Sequence, residues 1–155
     1  MIIFIDSGVL GILTNPYKFG EARDCEHWLY TLLSQGVYIC SSDICDFEVR
    51  RGLVLALQNK PKFSGIQNLD EIRDIIDFLA IDSVLLRKAA DLWASARSQG
   101  IPTADQKSLD VDIIISAHWQ MLTDNFPGRY IVVATTNVKH LSRFTEAKVW
   151  KDIKF

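Results

Sequence analysis

Three short runs of this chain are apolar throughout: Ile2-Ile3-Phe4-Ile5, Val37-Tyr38-Ile39-Cys40 and Tyr130-Ile131-Val132-Val133-Ala134. A strand with one wet face alternates polar and apolar residues. A run with no polar position is covered on both faces, as parallel strands are between helix layers. Between these runs lie segments with apolar residues at helical spacing. Glu21 to Gln35 sets Trp28, Leu29, Leu32 and Leu33 on one side. Leu69 to Leu79 carries Ile72, Ile75, Ile76 and Leu79, and a segment running to Gln99 carries Val84, Leu85, Ala89, Leu92, Trp93 and Ala96. The alternation predicts an α/β fold with a short, mostly parallel central sheet flanked by helices. The 155 residues contain no repeat, low-complexity tract or linker, so one domain over residues 1–155 is expected.

Turn and cap residues punctuate the pattern. Asp6-Ser7-Gly8 ends the first run, and Asn15-Pro16 stops a short helix over Val9 to Leu13. Gly36 is a helix stop. Ser41 or Ser42 caps a helix from Asp43 to Gln58, which Lys60-Pro61-Lys62 ends. Asp82 or Ser83 starts the helix that Gly100-Ile101-Pro102 closes, and Ser108 caps one running to Leu122. A helical turn over Val138 to Phe144 and a last strand over Lys148 to Trp150 complete the expectation.

Apolar residues make up 48% and charged residues 23%, which excludes disorder. The net charge of −2 does not advertise nucleic-acid binding, so any such role needs a local basic patch. Cys25, Cys40 and Cys45 show no CxxC or Cys/His metal spacing and read as free thiols of a reducing compartment. No basic leader precedes the first run, and no apolar stretch approaches the roughly 20 residues of a membrane span. A cytoplasmic protein without a membrane segment is expected.

Carboxylates beside buried surface are costly unless a positive partner joins them, and a hard divalent cation is the simplest such partner. Asp6 follows the first buried run, at the edge where open α/β sheets collect ligands, or else caps the next turn. Glu48 shares a helical row with Ile44, Gly52 and Leu55, so it either interrupts an inward face or sits at its rim, paired with Arg51. Asp112 lines up with Ile115, Ser116 and Trp119, and as a first-turn acid also complements the helix dipole. Asp110 faces away from Asp112 on a helix and joins it at one cation only if the helix begins after it. Asn137, in Thr135-Thr136-Asn137, follows the third run at the same sheet edge as Asp6 and offers an amide oxygen, or is a turn residue. Asp43 and Asp46 read as cap and dipole acids, and Asp105, within Thr103-x-x-Gln106, as part of a capping box.

These residues in this order resemble a known family. An Asp after the first strand, a helical Glu followed by Arg-Arg-Gly, Asp-x-x-Ile-Ser-Ala-His and Thr-Thr-Asn-Val-Lys-His together look like a PIN-domain ribonuclease of the VapC toxin type. The resemblance spans nearly the whole chain, and its specificity lies in order and spacing. It implies a PIN-like fold and a metal-dependent endoribonuclease. Asp6, Glu48 and Asp112 would hold Mg²⁺ or Mn²⁺, Asn137 would stand where many relatives carry Asp, and Asp110 would compensate for that missing charge. It also implies an RNA substrate, a small cognate antitoxin and a homodimer, with apolar surface for either partner on the helices around Leu69–Leu79 and Val84–Ala96.

Arg50, Arg51, Lys60 and Lys62 near Glu48, and Lys139, Arg143, Lys148, Lys151 and Lys154 in the last segment, are candidate phosphate contacts, though solvated charge is their commoner fate. His118 and His140 read as surface histidines or phosphate contacts. Trp28, Trp93, Trp119 and Trp150 fit core spacing rather than a base-stacking platform. A phosphatase using Asp6 as nucleophile would want a second Asp where Gly8 stands. The remaining alternative is a nuclease-like module that has lost activity, which the charge lost at Asn137 keeps open.

Overall fold

The computed structural model describes residues 1–60, 65–103 and 110–155. Lys62, Asp105 and Ser108, named above, lie outside the described residues. In chain order the elements are β1 (Ile2–Ile5), α1 (Ser7–Leu13), α2 (Glu21–Ser34), β2 (Tyr38–Ser42), α3 (Asp43–Asn59), α4 (Gly65–Ile75), β3 (Asp77–Leu79) and α5 (Ser83–Ser98). Then follow α6 (Val111–Asn125), β4 (Ile131–Thr135), α7 (Val138–Leu141), β5 (Ala147–Val149) and a closing 3₁₀ turn at Trp150–Asp152.

Among the described residues the sheet has five strands in the order β3-β2-β1-β4-β5, and every pairing is parallel. The three wholly apolar runs became its three central strands, and β1 and β4 are buried at every position. One cluster of buried side chains joins these strands to all the long helices. The chain winds outward from β1 through β2 to β3, then crosses back to place β4 on the other side of β1. That reversal opens a crevice beyond the carboxyl ends of β1 and β4, where open α/β sheets bind ligands.

Most helix ends are where their residues require. The Ser42 hydroxyl accepts the Ile44 amide at 3.2 Å and starts α3. Asp82 accepts the Leu85 amide at 2.8 Å and starts α5. Asp110, one residue before α6, accepts the Ile113 amide at 3.2 Å and is that helix's cap. After α2, Gly36 has φ of +74°, its amide donates to Leu33 and the Val37 amide donates to Leu32. This is the six-to-one, five-to-two pair of a Schellman stop, which asks residue 36 for left-handed backbone. Gly36→Ala should cost about 1–2 kcal/mol, read as a Tm lowered by roughly 2–8 °C. An unchanged Tm would show that the α2–β2 corner does not hold this conformation.

One expectation is corrected and one open alternative is decided. The helix expected over Leu69 to Leu79 ends at Ile75, and Asp77–Leu79 is an edge strand paired with β2. A three-residue strand is too short to show alternation, and its Phe78 and Leu79 continue the helical spacing of the segment before it. The row of α3 through Gly52 and Leu55 does not face inward. Leu55 is 60% exposed, and Phe47 and Val54 are exposed with it. Ile44 and Cys45, at the start of the helix, are its buried apolar residues, and Val49 and Leu53 pack part-buried against the same core.

The tryptophans are structural. The Trp28 indole donates to the Ile153 carbonyl at 3.0 Å and packs edge-on against buried Trp150, fastening the C-terminal turn to α2. The Trp119 indole donates to the Ile131 carbonyl at 2.9 Å. The three cysteines are free and buried. Among the described residues no helix is long and apolar enough to cross a membrane.

Candidate functional site

Asp6 leaves β1 with extended backbone, and its Oδ1 accepts the Val9 amide at 2.9 Å, so it caps α1. Capping does not account for the rest of its setting. The residue is buried, 7% exposed, at the carboxyl end of β1. Burial pushes its pKa up, and the charge of Asp112 adds to the rise. The Thr135 hydroxyl and the Val9 and Gly8 amides pull the other way without cancelling it. The β4 end closes tightly over this corner: a β-carbon on Gly8 would strike the Thr136 hydroxyl.

Glu48 stands one turn into α3, and its Oε1 accepts the Ser7 hydroxyl at 2.6 Å. Arg51, one turn further on, brings a guanidinium nitrogen to 3.8 Å from the other carboxylate oxygen. That guanidinium also lies over the exposed Phe47 ring. The pairing with Arg51 therefore exists, but the shorter contact is to a residue 41 positions away.

Asp112 sits in the first turn of α6. Burial raises its pKa, and the charges of Asp110 and Glu48 raise it further, while His140 opposes them. His140 Nδ1 lies 3.6 Å from Asp112 Oδ2. Asp110 precedes α6, which is the condition under which both acids face one crevice. A cavity of about 340 Å³ opens here, lined by Pro102, Thr103, Asp110, Asp112, His140, Arg143 and Phe144. Asn137 starts α7 at the same sheet edge. Its side chain makes no cap bond, and its amide donates to Thr135 Oγ1 at 2.9 Å.

Asp6, Glu48 and the pair Asp110 and Asp112 thus come from three places in the chain into one electrostatic neighbourhood. Among the described residues, however, no three His, Cys, Asp or Glu side chains converge closely enough to hold an ion as they stand. Each carboxylate leans on a protein partner instead: Asp6 on Val9, Glu48 on Ser7, Asp112 toward His140. The donor chemistry still fits a hard divalent cation. All donors are oxygen, and a positive charge would relieve the burial and repulsion that raise Asp6 and Asp112.

Several expected roles change. His118 is 4% exposed, stacks on Phe4 and shares a 2.8 Å hydrogen bond with the Ser42 hydroxyl, so it is a core residue and not a surface one. Burial drops its pKa to about 4. Arg50 is committed to Asp46 at 2.7 and 2.9 Å and to Asp70 at 2.8 Å, which removes it from the phosphate contacts. Asp46 is more than a dipole acid: Arg73 joins it at 3.2 Å, tying α4 to α3. Burial alone would raise Asp46, but the two guanidiniums bring it below the usual carboxylate range. Lys148 and Lys151 pair with Glu146 and Glu21 at 4.0 and 3.1 Å. Sequence reasoning missed Ser7 and the Thr135 hydroxyl. Both were legible only as polar residues next to strand ends.

No protein-family model and no curated protein sequence matches the chain. Solved structures do. VapBC2 from Rickettsia felis, bound to a DNA fragment from its promoter, superposes with a TM-score of 0.67 at 17% identity, covering 96% of this chain and 98% of its own. VapBC-1 from nontypeable Haemophilus influenzae gives 0.64 at 16% identity, covering 98% and 100%. DNA-bound VapBC from Salmonella typhimurium gives 0.61 at 16% identity, covering 97% and 98%. At these identities what is shared is the fold. The chain therefore has the PIN-like α/β fold that its motifs implied.

Proposed function

We propose that this protein is a metal-dependent endoribonuclease of the VapC type, working with a small antitoxin. The observation that carries the reading is that Asp112 lies close enough to act on the Asp6 carboxyl while Glu48 acts on Asp112, with Asp6 and Asp112 both raised, first by burial and then by neighbouring acids. Asp6, Glu48 and Asp112 would hold Mg²⁺ or Mn²⁺, with Asp110 and the Asn137 amide as further oxygen donors. Bound there, the cation supplies positive charge against the phosphate and activates water for attack.

The chain's own residues do the rest. Asp110 adds negative charge beside Asp112 and strengthens the pull on a cation. Arg51, His140 and Arg143 border the acids and are placed to meet phosphate oxygens without reading bases. The VapC-type resemblance and the VapBC structures that share the fold support an antitoxin partner. Exposed Ile75, Val84 and Leu86 on α4 and α5 offer apolar surface to an antitoxin or to a second copy of the chain.

A second reading, an inactive module of the same fold, is favoured by the uncharged Asn137 and by the absence of three converged ligands among the described residues. Cleavage of mixed RNA by the purified, antitoxin-free protein separates the two. The nuclease cleaves with Mg²⁺ or Mn²⁺ and stops in EDTA and in Asp112→Asn. A folded protein that leaves RNA intact under all conditions is the module.

A further inference from the structure

We propose that Ser7 is the positioning residue that sets the Glu48 carboxylate for cation binding, an inference that rests on the metal-dependent reading above. A serine at the start of a helix ordinarily turns its hydroxyl to the helix's own amides. In α1 that task is already done by Asp6, which accepts the Val9 amide. The Ser7 hydroxyl instead crosses to α3 and donates to Glu48 Oε1 at 2.6 Å. That length is typical of a hydroxyl bonded to an ionised carboxylate, the stronger class of hydrogen bond. One turn before Glu48, Cys45 is fully buried, so α3 is anchored in the core directly beside this carboxylate.

The bond decides where Glu48 points. Its one charged neighbour on α3 is Arg51, at 3.8 Å from Oε2 and largely exposed to solvent. Without Ser7, the carboxylate is free to swing outward and pair with Arg51, where its charge is spent away from Asp6 and Asp112. With Ser7, one oxygen is held toward α1, the helix that Asp6 begins. Because Asp6 and Ser7 are consecutive, this bond also ties the two candidate ligands to each other across the α1–α3 contact. Outer partners of metal ligands typically contribute 10–100-fold in metal affinity.

Mn²⁺ titration by calorimetry, with no RNA present, tests the proposal. Ser7→Ala is expected to weaken Mn²⁺ binding about 10–100-fold, while Ser7→Thr, which keeps the hydroxyl, stays near the wild-type affinity. Adding Arg51→Gln to Ser7→Ala is expected to recover part of the loss, a rescue that a merely structural serine would not produce. Where alanine disturbs α1, Ser7→Cys keeps the volume without the strong donor and should weaken binding likewise. Equal Mn²⁺ affinity in wild type and the folded Ser7 variants overturns the positioning role and leaves the nuclease reading standing. A wild type that binds no Mn²⁺ overturns that reading and this inference with it.

Discussion

Asp6→Asn is expected to abolish RNA cleavage and, at the same time, to raise the Tm of the metal-free protein. The two effects have one cause. At neutral pH the fold holds a carboxyl that burial and the Asp112 charge push toward its neutral form. A carboxyl whose pKa is raised on folding stabilises the fold below its unfolded pKa. That contribution is lost as pH rises through the folded value. Above it the charge is a liability that only a cation redeems. Asparagine removes the charge yet keeps the acceptor for the Val9 amide, since Asn caps helices as well as Asp. Metal-free Asp6→Asn should therefore melt above wild type.

The same change removes a ligand. Several kcal/mol of transition-state stabilisation come from a catalytic cation, so cleavage should fall on the order of 10³-fold. Wild type should gain stability from Mn²⁺, and the variant should not. The order of melting temperatures then differs between metal-free and Mn²⁺-loaded samples. A variant that melts below wild type and still gains equally from Mn²⁺ would show that Asp6 is a cap and nothing more.

The second large effect is acid lability from His118. Its pKa falls on folding from 6.5 to about 4 because burial disfavours the charged ring, with Asp82 and Asp43 only partly opposing. The unfolded chain takes up a proton below pH 6.5, and the native protein does not until pH nears 4. Stability from the neutral ring is therefore complete above pH 6.5 and is lost progressively as pH falls toward 4. The full difference amounts to about 3 kcal/mol. Asp6 and Asp112 titrate in the opposite sense, so the clean measurement is a comparison. Urea unfolding of wild type and His118→Leu across pH 4.5 to 7.5 should show wild type losing about 3 kcal/mol more than the variant toward low pH. The variant also loses the bond between His118 and the Ser42 hydroxyl, so an offset between the curves is expected as well. Parallel curves would mean that His118 is not held neutral in the core.

Both predictions mark the line between what was legible in the sequence and what was not. Ile2–Ile5 and Ile131–Val133 read as buried parallel strands because a run without polar residues has no other stable place. Asp6 and Asn137 read as sheet-edge residues because they follow such runs, Asp6 at once and Asn137 after Thr135-Thr136. Ser42 and Asp82 read as caps because their side chains bond within three residues. Local bonding of that kind needs no knowledge of the rest of the chain.

His118 looked like a surface residue because its covering comes from Phe4 and Ser42, more than 70 positions away in sequence. The edge strand at Asp77–Leu79 carried too few residues to show a period. Arg50 looked free because Asp70, one of its partners, sits on a different helix.

The sequence by itself determined the parallel sheet, most helix boundaries and the identity of the acids, since these follow from hydrophobic period and from bonds made within a turn. Only the tertiary structure decided that Ser7 bonds to Glu48, that Asp112 raises Asp6, and that His118 is buried. Those facts depend on which distant segments the strand order brings together. Burial and Coulomb energy act through space and leave no periodic trace along the chain.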